Sequence, residues 1–274
     1  MNEENANKKR QSILSTKRAR VVVAVLLFVL ILGAIFLALS LTIWKPTSDI
    51  EWFEVFNESL KETDVSFAAQ QAEKSPVNIT RRIKIEDGTQ IVATFEQSLS
   101  LDCRNGQQTG YLKIDETYPT LGETSDDIHD EYYLNGGVMH MRRQADGEDL
   151  TTQFDSDMET LFTVATENIS SVKYDLKEDY FAVAEGANLI NKENGSVVLR
   201  AAVREEIYGS FFGEGTDVIG ITSLTIEMWI DEGSHSFHRL ILKYNKDGLH
   251  YTSETECNMI GDIGKPDWTM EEGL

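Results

Sequence analysis

The sequence is poor in cysteine and proline, with two and four in 274 residues, and it carries none of the short signatures that announce catalysis. Two cysteines exclude a disulfide-stapled miniature fold and a cysteine-rich zinc module, which needs several ligands at close spacing. Cys103 and Cys257 leave a long-loop disulfide open against two buried free thiols, and no spacing motif chooses between them. Nucleophile elbows, glycine-rich phosphate loops and the zinc-protease His-Glu pattern are missing, and Gly209 to Gly215, GSFFGEG, matches none of them. The paired carboxylates of a glycosidase need no motif, but nothing positive points to them. The expectation is a protein that is not an enzyme and uses no cofactor or metal.

Positive charge is also scarce: 25 lysines and arginines face 46 acidic residues, for a formal charge of -21. The imbalance is segregated. The first twenty residues hold six bases, Lys8, Lys9, Arg10, Lys17, Arg18 and Arg20, against Glu3 and Glu4, so the remainder of the chain carries -25. That sign repels nucleic acid and anionic headgroups, and it disfavours DNA or RNA as a partner.

Between the basic tail and the acidic remainder lies an uncharged run, Val21 to Trp44. As a helix it reaches roughly 36 Å, against a bilayer hydrocarbon core of about 30 Å. Lys17, Arg18 and Arg20 precede the run while Asp49, Glu51 and Glu54 follow it, which puts the N-terminus in the cytoplasm. A cleaved secretion signal is the competing reading, and Ala38-Leu39-Ser40 has the small-x-small form of a cleavage site. The run is longer than a signal's apolar region of about 7 to 15 residues, which favours an uncleaved anchor. No cysteine follows closely enough for lipid attachment, so the helix itself would anchor. The expected organisation is a cytoplasmic basic tail (1–20), a single-pass transmembrane anchor (21–44) and an extracellular acidic domain (45–274) at the cell membrane.

The exported part reads as one α+β domain. Ser48 with Glu51 forms a capping box, and Trp52, Phe53, Phe56 and Leu60 recur at helical spacing up to about Thr63. After Pro76 the period changes to two. Val77, Ile79, Ile83 and Ile85 share one face, and beyond the Asp87-Gly88 turn so do Ile91, Ala93, Phe95, Leu99 and Leu101. Asn105-Gly106, Asn135-Gly136-Gly137, Asn194-Gly195 and Asp247-Gly248 punctuate further strands, because these pairs tolerate the positive φ of tight turns. A second helix is expected between Asp155 and Glu167, where Phe154, Met158, Leu161, Phe162 and Ala165 fit a 3.6-residue period. The resulting fold is a curved, meandering antiparallel sheet packed on a few helices.

Three stretches carry a family likeness. Tyr132 to Met141, YYLNGGVMHM, resembles the hairpin before the mid-chain helix of small exported LolA-like lipoproteins of Gram-positive bacteria. Ile226 to Asp231, IEMWID, resembles their late strand and turn, and Asp262 to Pro266, DIGKP, their closing loop. Over roughly Ser48 to Trp268 the chain is similar to the lipoprotein-carrier fold of the LolA and LppX type. It departs from the lipidated members in having an apolar helix where they have an acylated cysteine. The resemblance implies a half-barrel whose concave apolar face, closed by helices, accepts a lipid or other apolar group.

Phe95, Met139, Met141, Met158, Phe162 and Met228 are the candidates to line such a cavity, since thioethers and aromatics adapt to acyl chains; core packing explains the same residues. Asp126, Asp127, His129, Asp130 and Glu131 form the densest acidic cluster, but they lack a calcium-loop pattern and read as a solvated loop. His235 and His238 lack a third ligand at metal spacing and read as surface residues. The sequons at Asn57, Asn78, Asn168 and Asn194 occur at a frequency chance explains. Two functions follow: a surface protein binding an apolar ligand or a lipidated partner, or an extracellular interaction scaffold or sensor coupled to the short tail.

Overall fold

The first and last strands among the described residues lie side by side: Val77 is opposite Met259 and Ile79 opposite Cys257. In this computed structural model residues 51–119, 127–168, 175–182, 188–212 and 218–269 are described. The tail, the run Val21 to Trp44 and the Ser48 cap lie outside them. Among the described residues no helix is long and apolar enough to cross a membrane.

Helices α1 (Trp52–Leu60) and α2 (Val65–Ala72) come first, joined by a 3-10 turn at Lys61–Thr63. Asp64 caps α2, its carboxylate accepting the Ser66 N–H at 2.8 Å. Six strands then follow as hairpins: β1 (Val77–Asp87), β2 (Gln90–Asp102), β3 (Thr109–Thr117), β4 (Ile128–Asn135), β5 (Val138–Ala145) and β6 (Glu148–Asp155). Helix α3 (Met158–Asn168) and the short strands β7 (Phe181–Ala182) and β8 (Ile190–Glu193) lead to β9 (Ser196–Val203). The chain continues through helix α4 (Tyr208–Phe212) into β10 (Ile221–Asp231), β11 (Phe237–Lys246) and β12 (Leu249–Met259).

The sheet is open, curved and antiparallel throughout, in the order β6-β5-β4-β3-β2-β1-β12-β11-β10-β9-β7, with β8 also on β9. It is two meanders fused through β1 and β12. One face carries the core in two clusters. Phe56 and Leu60 of α1 with Phe211 of α4 pack on β9 to β11, while Ala68 of α2 and Leu161 of α3 pack on β1 to β5. Cys257 touches both clusters. The other face is polar and laced by ion pairs such as Arg82 with Glu96 and Glu256, and Arg200 with Glu193 and Glu227. Half-exposed pairs of this kind each contribute only about 0 to 1 kcal/mol, so the buried face decides the fold.

Three local expectations change. Phe154 is the penultimate residue of β6, not of a helix, and α3 starts at Met158, where Asp157 caps it by accepting the Thr160 N–H at 2.9 Å. Ile91 leaves the core face: a bulge sets it opposite Glu86 while Ala93 stays opposite Ile85, and Ile91 is 37% exposed. The acidic stretch is strand rather than loop from Ile128 onward, so alternation puts Asp130 on the core face and His129 and Glu131 on the wet face.

Candidate binding face

The core face is unevenly covered. Near the ends where β1 begins and β12 finishes, α2 and α3 seal Leu101, Leu112, Leu134 and Met139, all under 2% exposed. Gly110 on β3 lets α3 come close; a Cβ there would stand 2.3 Å from Leu161 Cδ2. Next along the strands runs a buried polar row. Gln97 on β2 donates to the Ala165 carbonyl near the end of α3 at 2.8 Å, and Arg81 on β1 donates to the Thr63 carbonyl at 2.7 Å. Both side chains sit opposite one another in the register and fasten helical carbonyls to the sheet. In the same row Asp130 is 9% exposed. Its Oδ2 lies 3.7 Å from Arg143, while its Oδ1 is buried with no partner among the described residues. Burial raises its carboxyl pKa, against the pull of Arg143.

Beyond that row the core face is mainly apolar, and among the described residues helices α1 to α3 no longer cover it. Ile83 faces Phe95 across β1 and β2, Ile85 follows, and Ile128 lies on β4; all four are half-buried. Phe95 meets Tyr118 edge to face at 5.9 Å, and on the far side Tyr244 stacks on Tyr251 at 4.9 Å. This strip is largely aromatic and aliphatic, with Glu116 and, opposite Ile83, Ser253 as polar members, and Tyr118 donates to the Glu116 carboxylate at 3.1 Å.

The six cavity candidates divide. Met139 and Met228 are wholly buried and Met158 is 7% exposed, each within a packed cluster; Phe162 packs at the edge of the α3 cluster. Phe95 lies on the bare strip and Met141 is half-buried on the core face of β5. Sequence period cannot separate the two groups, because sealed and bare residues alternate alike. Ile83, Ile85 and Tyr251 join Phe95 on the strip, while Tyr244 also meets Phe212 of α4 edge to face at 5.5 Å; their even spacing marks the face but not the part of it that the helices cover.

Two cavities lie elsewhere. One of about 330 Å³ opens between α2 and the ends of β1, β11 and β12, lined by Glu62, Phe237, Cys257 and Met259. Glu62 accepts the Phe237 N–H at 3.2 Å, and burial raises its carboxyl pKa. The other, about 440 Å³, lies along β9 to β11 around Arg200 and Glu227. Neither includes any of the six candidates.

Cys103 and Cys257 are both free thiols. Cys257 is opposite Ile79, itself opposite Leu99, so Cys103 lies four residues further along, roughly 13 Å at strand rise. A disulfide spans Cα atoms no more than about 7 Å apart. Burial pushes the Cys257 thiol up to about 11. His235 packs edge to face on Trp52 at 5.7 Å, and among the described residues no three His, Cys, Asp or Glu are grouped to hold a metal.

No protein-family model and no curated protein matches the sequence. Among solved structures the chain is similar to a beta-barrel-like protein of the domain of unknown function DUF1849 from Brucella abortus, at 8% identity and a TM-score of 0.25, over 68% of this chain and 98% of that one. It is also similar to a DUF1329 family protein from Desulfovibrio piger, at 9% identity and a TM-score of 0.24, over 78% and 97%. A likeness of that size says nothing about what this chain binds.

Proposed function

We propose that this chain is a non-enzymatic binding protein, anchored in the cell membrane by Val21 to Trp44, whose outer domain takes an apolar or lipid ligand, or the lipid of a lipidated partner, on the bare strip of its core face. The observation that carries the reading is the half-exposed apolar strip at Ile83, Ile85, Phe95 and Ile128, beyond the end of the covering helices. Each methylene moved from water onto such a surface contributes roughly 0.8 kcal/mol, which suits a long acyl chain. The buried row of Arg81, Gln97 and Asp130 separates the strip from the sealed core, so a ligand can occupy it without opening the domain.

The full-length chain reconstituted in vesicles with a photoactivatable fatty acid tests this. The wild-type protein should form a covalent adduct mapping to β1 or β2, and Phe95→Asp should lower its yield about tenfold, the effect of one lost aromatic contact. No adduct on the wild-type chain removes the ligand reading. Release of the chain by alkaline extraction of membranes removes the anchor.

A further inference from the structure

The two edges of the sheet end differently. At one, β7 has two residues and β8 four, and the Leu189 carbonyl takes the Arg200 N–H at 3.0 Å, so little free backbone is left. Short, broken edge strands of this kind are how sheets avoid pairing with other chains. At the other edge β6 runs eight residues, Glu148–Asp155, in unbroken register with β5 from Ala145 to Val138. All eight are exposed, and the strand has no proline, lysine or bulge. Alternate residues of an antiparallel edge strand turn both N–H and C=O outward, and among the described residues no backbone partner meets those of β6.

The side chains define what fits there. Leu150 and Phe154, 60% and 43% exposed, flank Thr152 on the core face. Asp149 on the other face is held by Arg142 at 2.6 Å. Glu148 and Asp155, at the two ends, have no ion-pair partner among the described residues. Symmetric pairing of two copies can oppose only residues of one face; the register that sets Leu150 against Phe154 also sets Asp149 against Asp155 twice, and like charges directly opposed destabilise a strand pair. The charge of -25 on the chain beyond its first twenty residues opposes self-association further.

We propose that β6 is a docking edge for an extended segment of another protein, which adds antiparallel to it, carries a basic residue at each end and turns apolar side chains toward Leu150 and Phe154. Main-chain hydrogen bonds supply the attachment, and the end charges and the two apolar positions supply selection. This partner site is separate from the apolar strip.

The probe is an end-capped octapeptide with lysine at both ends and valine alternating with threonine between them, beside a counterpart with glutamate ends. Both are added to the full-length chain in detergent micelles. The lysine peptide should bind about tenfold more tightly by fluorescence anisotropy and slow hydrogen exchange at 148–155. Glu148→Lys with Asp155→Lys should reverse the preference. Of Thr151→Pro and Thr152→Pro, the one whose N–H faces outward should keep normal exchange elsewhere and lose the peptide. Equal binding of the two peptides, protection mapping away from β6, or dimerisation of the wild-type chain through β6 would each overturn the proposal.

Discussion

Gln97, in the middle of β2, gives its side-chain amide to the backbone carbonyl of Ala165, 68 residues later in α3. The contact ties the C-terminal turn of a helix to the sheet beneath it and satisfies a carbonyl that the helix leaves without an internal partner.

Gln97→Leu keeps the volume and removes the donor, so the Ala165 carbonyl is left buried and unpaired. The cost should be about 1 to 3 kcal/mol in urea unfolding. A loss under a few tenths would mean that the carbonyl finds another donor.

Gly110 measures how closely α3 sits on β3. Gly110→Ala puts a methyl where Leu161 Cδ2 lies, and Leu161 is wholly buried, so the leucine must change rotamer or the helix must lift. Overpacking of this kind costs about 1 to 3 kcal/mol. Adding Leu161→Ala should recover part of it, which a double-mutant cycle reads as coupling.

Glu62 makes stability depend on pH. Its pKa is raised in the folded state by burial, so its contribution is full below the ordinary carboxylate range and is lost as pH rises through the raised value. Glu62→Gln still offers an oxygen to the Phe237 N–H. Its melting temperature should exceed that of the wild type at pH 7, with the gap closing toward pH 4; a gap that widened on acidification would refute the assignment.

Cys257, with its thiol near 11, should carry about a hundredfold less thiolate than an ordinary cysteine at neutral pH. Iodoacetamide should therefore label the folded chain at Cys257 more slowly than at Cys103, and both equally in denaturant. Mass spectrometry of the alkylated peptides reads the ratio.

Much of this arrangement is local and legible. Asn194-Gly195 and Asp247-Gly248 turn with positive φ at both residues, Gly88 does so alone after Asp87 closes β1, and the alternating residues on either side fix which face is wet. Asp146-Gly147 carries the same signal and makes the β5–β6 turn, with φ of 53° and 76°. Phe154 fits the period of the helix behind it as well as that of the strand, and this hides β6. Helix α2 is obscured in a similar way: its cap, Asp64, is plain, but Val65, Ala68 and Ala72 are small and give little amphipathic contrast.

By itself, then, the sequence determines the membrane-length run, the segregation of charge, most of the antiparallel hairpins and the apolar face of strands such as β1 and β10, because turns and alternation act over a few residues. Only the tertiary structure decides that β1 pairs with β12, since any two strands of alternating pattern offer the same backbone and nothing local marks the partner. It also decides that Met139 is sealed while Phe95 stays half-exposed and β6 stays bare. Where the helices come to rest depends on close contacts such as Leu161 over Gly110, and these form only when residues distant in the chain meet.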